Sequence, residues 1–164
     1  MIIFYIVVLH LFFVWVLLRL VVPYMGFRKT PIAESLPAHL QSVIDDIKAS
    51  SSNQTEALRL SYNYVVQQYY GGRIKTVLNF WRAFGSYENK SPGFLPCNMQ
   101  NQLLRTILVK TDYFKDADIE VRVTPFNFFI HQYLVVNING QSIAVDPWSH
   151  FLGLELGKKS SWFG

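Results

Sequence analysis

From Ile2 to Val22 the chain runs IIFYIVVLHLFFVWVLLRLVV, with only His10 and Arg19 ionisable. A helix needs about 20 such residues to cross the hydrocarbon core of a bilayer. A cleaved signal peptide is the competing reading, but it wants a basic leader, a shorter apolar core and a small-residue cleavage site. Met1-Ile2-Ile3 carries no lysine or arginine, and Val21-Val22-Pro23-Tyr24 offers no such site. The segment is therefore expected to be an uncleaved anchor over residues 1–24, single-pass, meeting the lipid bilayer through residues 2–22. His10 is assigned no role. The basic flanking residues Arg19, Arg28 and Lys29 all lie on its C-terminal side. By the positive-inside rule the following domain should be cytoplasmic.

About 140 residues then remain, enough for one modest core. The net charge of +4 is mild and its basic groups are dispersed. Without a basic stripe interleaved with aromatics, no nucleic-acid partner is expected. The lone cysteine, Cys97, excludes an internal disulfide and any multi-cysteine metal site. No phosphate-binding or dinucleotide motif is present, so no cofactor is expected.

Residues 25–35 read as a linker and 36–164 as one domain. Leu36, Leu40, Val43, Ile44 and Ile47 recur at helical spacing, predicting an amphipathic helix to about Ala49. Thr55 is a candidate N-cap for a second helix burying Leu58, Tyr62, Val65, Val66 and Tyr69, which Gly71-Gly72 ends. Ile74, Val77, Leu78, Trp81 and Phe84 suggest a third, with its aromatic stripe in the core. Lys158-Lys159 reads as a solvated tail.

In SPGFLPCNMQNQLLRTILVK, Pro92, Gly93 and Pro96 oppose helix, while Leu103, Leu104, Ile107 and Leu108 form a helical stripe. Cys97 thus falls at a helix N-terminus, where unpaired amides and the positive end of the dipole favour a thiolate. A buried cysteine acting as a small hydrophobe is the alternative.

Ile119, Val121 and Val123 alternate with polar residues, a half-buried strand. After a turn at 125–127, residues 128–138 should form a second strand. Asn139-Gly140 is a strong hairpin signal, so 141–145 should return antiparallel. With a two-residue loop, Ile138 opposes Gln141 and Tyr133 opposes Asp146. His131 then becomes the diagonal neighbour of Asp146. The fold class expected is α+β, helices packed on a small antiparallel sheet.

A thiol, a base and a carboxylate that orients the base are what nucleophilic catalysis requires. Pro96-Cys97 with its helix, His131-Gln132-Tyr133, Asn139-Gly140 and Val145-Asp146-Pro147-Trp148 together resemble the transglutaminase-like superfamily, papain-like acyl-transfer enzymes with a Cys-His-Asp triad. That family's usual pattern is Gly-x-Cys opening a helix, His-Ala-Trp-x-x-Val, a glycine turn and Val-Asp-Pro. Here Leu95-Pro96 replaces the Gly-x, and Gln132-Tyr133 stands in for Ala-Trp. The likeness covers about residues 73–148. It implies a membrane-anchored, cysteine-dependent acyl-transfer enzyme, a peptidase or amidase or else a transglutaminase, acting on a protein or peptide substrate. Cys97 would attack a carbonyl to form a thioester, His131 would pair with the thiolate and then protonate the leaving group, and Asp146 would orient His131. The backbone N–H of Cys97 would serve as an oxyanion donor. A catalytically silent domain of the same kind, binding a peptide or a membrane partner, is the alternative.

Overall fold

The computed structural model describes residues 1–124 and 130–160. The expected turn at 125–127 and the start of the expected strand at 128–129 lie outside the described residues.

The apolar run forms one helix, α1 (Ile2–Val21), with a mean hydropathy of 2.4 over its window. At 1.5 Å per residue it is about 30 Å long, the thickness of a hydrocarbon core. A π-helical turn at Phe13–Leu17 interrupts it, and within that turn Val14 is only 2% exposed. The helix is therefore not a free stalk. Its C-terminal half rests on the domain, in a cluster containing Val14, Met25, Cys97, Ile130 and Trp148.

Two helices follow. In α2 (Ala38–Ser50), Leu40, Ile44 and Ile47 are buried at the expected helical spacing. The second, α3 (Gln54–Gln68), is capped by Asn53, whose side chain accepts from the Glu56 amide. The Glu56 carboxylate reaches back to the Ser52 amide and hydroxyl. Two groups of unpaired backbone donors are thus satisfied reciprocally. Thr55, expected as the cap, lies inside the helix, because Asn53 is already placed to take that amide. Leu58, Tyr62 and Val65 are buried in the main core, together with Leu104 and Ile107.

Tyr69–Tyr70 (β1) then pairs in parallel with Gly93–Phe94 (β2). The excursion between them holds α4 (Arg73–Leu78) and two 3-10 turns, Phe80–Ala83 and Tyr87–Asn89. Here the sequence reading fails. The expected third core helix ends at Leu78, and Ile74, Val77, Leu78, Phe80 and Trp81 are all exposed to more than half of their surface. The periodic apolar stripe exists, but it does not face the core.

The spine of the domain is α5 (Cys97–Lys110), buried without a break from Cys97 to Leu108. It packs on a three-stranded antiparallel sheet in the order β3 (Ile119–Val123), β4 (Gln132–Ile138), β5 (Gln141–Val145). Leu134 pairs with Val121 on one side and Val145 on the other. At the β4–β5 turn, Asn139 and Gly140 adopt φ of 52° and 83°. Both central residues of a type I′ turn need positive φ, which Asn-Gly supplies at little steric cost. Ile138 opposes Gln141, so the hairpin register is the expected one. Helices with a small antiparallel sheet make the domain α+β.

The linker is strapped down. Asn98, Gln132 and Arg105 donate to the carbonyls of Pro23, Tyr24 and Thr30, at 2.7, 2.9 and 2.7 Å. Arg105 also pairs with Asp116 at 2.7 Å. The C-terminal segment is likewise no loose tail. Gly157 donates to Ala144, Lys159 to the Tyr133 hydroxyl, and the Ser160 amide to Asp146.

Past β1 the backbone passes under the Trp148 ring. A Cβ on Gly71 would lie 2.1 Å from the Trp148 carbonyl oxygen and 2.8 Å from its indole carbons. On Gly72 the nearest atom would be at 3.5 Å. Gly71→Ala is therefore expected to lower stability by about 1–3 kcal/mol, the range for overpacking. Gly72→Ala should be nearly neutral. Thermal or urea unfolding of the two variants checks this.

Candidate active site

The site forms where α5, the start of β4 and the end of β5 converge. Pro96 opens α5 in an extended conformation. The first helical hydrogen bonds run from the Met99 and Gln100 amides to its carbonyl. The amides of Cys97 and Asn98 therefore stand ahead of the helix's own ladder, as helix geometry requires of the first turn. Cys97 has a free thiol and is buried.

His131 immediately precedes β4. The Thr124 amide fixes its backbone by donating to the His131 carbonyl at 2.9 Å, continuing the β3–β4 ladder one step beyond the strand. Asp146 follows β5. As the hairpin register dictates, the two side chains meet diagonally, His131 Nε2 to Asp146 Oδ2 at 2.7 Å. Both are almost wholly buried. A buried carboxylate must find donors or lose several kcal/mol of solvation. Asp146 has three, from the imidazole, the Ser149 amide at 3.2 Å and the Ser160 amide at 2.9 Å. The Ser149 amide also makes Asp146 the cap of the 3-10 turn Pro147–Leu152. That turn holds the Trp148 ring against the imidazole, with centroids 5.0 Å apart.

The structure brings Cys97, His131 and Asp146 together. Burial alone would pull the His131 pKa down. Side-chain hydrogen bonds to Asp146 and to Cys97, and attraction to both as anions, outweigh it and push the pKa up to about 10. With Asp146 on Nε2, Nδ1 is the ring nitrogen left to exchange a proton with the sulfur.

Two further residues are important to this geometry: Asn101, which escaped the sequence reading, and Trp148, which figured there only as the end of Val145-Asp146-Pro147-Trp148. One turn along α5 from Cys97, Asn101 donates to the carbonyl of Gln132 at 2.7 Å. It ties the helix that carries the thiol to the strand that carries the imidazole. A buried asparagine inside an otherwise helical stripe was the available signal. The second is Trp148, whose indole N–H is buried without a partner among the described residues. Both Cys97 and Trp148 line a large groove. Among the described residues no group of three His, Cys, Asp or Glu side chains could hold a metal ion.

Compared with protein-family models, with curated proteins and with solved structures, the chain matches none.

The raised His131 pKa has a definite sign. If His131 titrates near 6.5 when unfolded, its partners add stability that is complete below pH 6.5 and fades as the pH rises toward about 10. In an NMR titration the His131 ring should remain protonated through pH 8. Asp146→Asn should bring its titration back toward the ordinary histidine range. A His131 ring already neutral at pH 7 in the unaltered protein would contradict this.

Proposed function

We propose that the chain is a membrane-anchored thiol hydrolase or acyltransferase of the transglutaminase-like, papain-like kind. One observation carries the reading: a buried carboxylate, an imidazole with raised pKa and a free thiol at a helix N-terminus, linked in that order. Each has the residue type that its role demands. The Cys97 thiolate attacks a carbonyl carbon. The protonated His131 passes its proton to the leaving group, and a thioester remains on Cys97 until water or an amine takes the acyl group. Asp146 holds the ring and stabilises the imidazolium. The resemblance in sequence supports a peptide or carboxamide carbonyl as the target.

The negative oxygen of the tetrahedral intermediate needs donors. The Cys97 amide is one, and the candidate second is the indole N–H of Trp148, which has no partner among the described residues and belongs to a side chain lining the groove. A single donor of this kind is worth about 10²–10³ in kcat. Trp148→Phe keeps the ring against His131 and removes the N–H. It is expected to lower kcat by about 10² while the protein stays folded.

α1 is long and apolar enough to serve as the anchor. The excess of Arg19, Arg28 and Lys29 on its C-terminal side supports a cytoplasmic domain. Protease protection on intact cells and on inverted vesicles tests the orientation.

Cys97→Ala should abolish turnover, His131→Ala should nearly do so, and Asp146→Ala should leave a small residue of activity. Folding should survive Cys97→Ala, which opens only a small cavity. The same architecture without activity predicts alkylation of Cys97 no faster than an unperturbed thiol. An active site predicts fast, His131-dependent alkylation near neutral pH. Slow labelling of Cys97, equal in the unaltered protein and in His131→Ala, would favour the silent reading.

A further inference from the structure

A groove of about 830 Å³ runs from the Cys97–His131 pair between α1 and α4. Ligand pockets usually measure about 300–1,000 Å³, so it can hold a substantial molecule. One wall is the second half of α1, through Phe13, Leu17, Leu18 and Val21, and the facing wall includes Val77 and Phe80. Thr76, Asn98 and Arg73 are among its few polar lining residues besides the pair itself.

The lining is informative about what could fill it. An extended peptide presents a donor and an acceptor at each residue, and these must be satisfied when it leaves water. These walls offer little to satisfy them. A saturated acyl chain makes no such demand.

The outer side of the same region carries a second observation. In α4 and the turn after it, the groove side presents Val77 and Phe80, while Ile74, Leu78 and Trp81 are 76%, 62% and 58% exposed. A segment apolar on both sides is at home in a core or in lipid, not in water. It belongs to no core here. It does lie beside the half of α1 that completes a 20-residue apolar span. Arg73 and Lys75 near its start and Arg82 near its end supply the basic groups expected of a segment seated at phospholipid headgroups.

We propose that residues 73–84 dip into the same leaflet as the end of α1, and that the groove between them admits an acyl chain of a membrane glycerophospholipid, whose ester carbonyl meets Cys97. This rests on the acyl-transfer reading above and names its substrate class. The Cys97 thiolate adds to the ester carbonyl carbon, forming a C–S bond. The C–O bond to glycerol breaks, and the proton on His131 goes to the departing alkoxide, releasing a lysophospholipid. Water, giving its proton to His131, then cleaves the thioester to a fatty acid and restores the Cys97 thiolate beside the protonated imidazole.

The test uses the full chain in vesicles of phosphatidylethanolamine and phosphatidylglycerol carrying isotope-labelled palmitoyl chains. A water-soluble acetyl ester is assayed alongside. Expected are labelled palmitate and lysophospholipid in equal amounts, with a hydroxylamine-sensitive palmitoyl adduct on Cys97, all lost in Cys97→Ala. Val77→Asp and Phe80→Ser change exposed positions, so folding should survive. A charge or hydroxyl in the groove should reduce the ratio of lipid to acetyl-ester turnover at least about tenfold, since an acyl chain seated there would strip it of water and offer no hydrogen bond in return. Cys97-dependent turnover of the acetyl ester without lipid cleavage, or an unchanged ratio in both groove variants, would overturn the lipid proposal and leave acyl transfer standing. Turnover of neither substrate would overturn both.

Discussion

The carboxylate of Asp146, 1% exposed, is the constraint around which the rest of the structure is arranged. A charge buried so deeply persists only if its lone pairs are answered. The answers come from three separate pieces of chain: the residue before β4, the turn after β5, and the segment around Ser160. None of the three is fixed by its own local propensity. The carboxylate therefore does more than orient an imidazole. It closes the hairpin onto its flanking segments and holds the Trp148 ring in place. Removing one partner of a buried ion pair commonly costs about 3–5 kcal/mol, so this geometry and the stability of the domain are coupled.

The thiol is brought to that pair by a different device. Nothing in the hairpin determines where Cys97 lies, because α5 could slide along the sheet without disturbing the strand register. Leucines and isoleucines on the helix tolerate such sliding better than hydrogen bonds do. The bond from Asn101 to the Gln132 carbonyl does not tolerate it. Nor do the bonds by which Asn98, Arg105 and Gln132 hold the linker. The polar residues of α5 are thus positioning devices within an otherwise apolar interface. They fix the helix against both the sheet and the segment that descends from α1.

How much of this was legible in the sequence followed from how local the determining physics is. The β4–β5 register was readable, because Asn139-Gly140 sets the loop length and alternation sets the faces. The proximity of His131 and Asp146 then followed by arithmetic. The start of α3 was misjudged by two residues, since Asn53 and Thr55 are both competent caps and only the reciprocal bonds of Glu56 decide between them. The stripe at Ile74–Phe84 was misread for a deeper reason. Periodicity reports that one side of a segment avoids water, but it does not say whether protein or lipid will meet it. The strapping of the linker and of residues 157–160 left no trace in pattern at all. Backbone carbonyls and amides are partners there, and every residue carries those.

The same ambiguity connects α1 to the groove. A spanning helix needs only to be apolar, and α1 is apolar on every side. Yet it departs from regular geometry at Phe13–Leu17, where Val14 turns into the cluster that contains Cys97. A π-turn inserts an extra residue into the helical repeat and is tolerated where tertiary contacts compensate. Here those contacts are with the thiol's own surroundings. The second half of α1 is then part of the wall of the groove, and the strapped segment from Pro23 to Thr30 keeps that wall in register. A long flexible tether in place of this packed connection would have left the groove with one side missing.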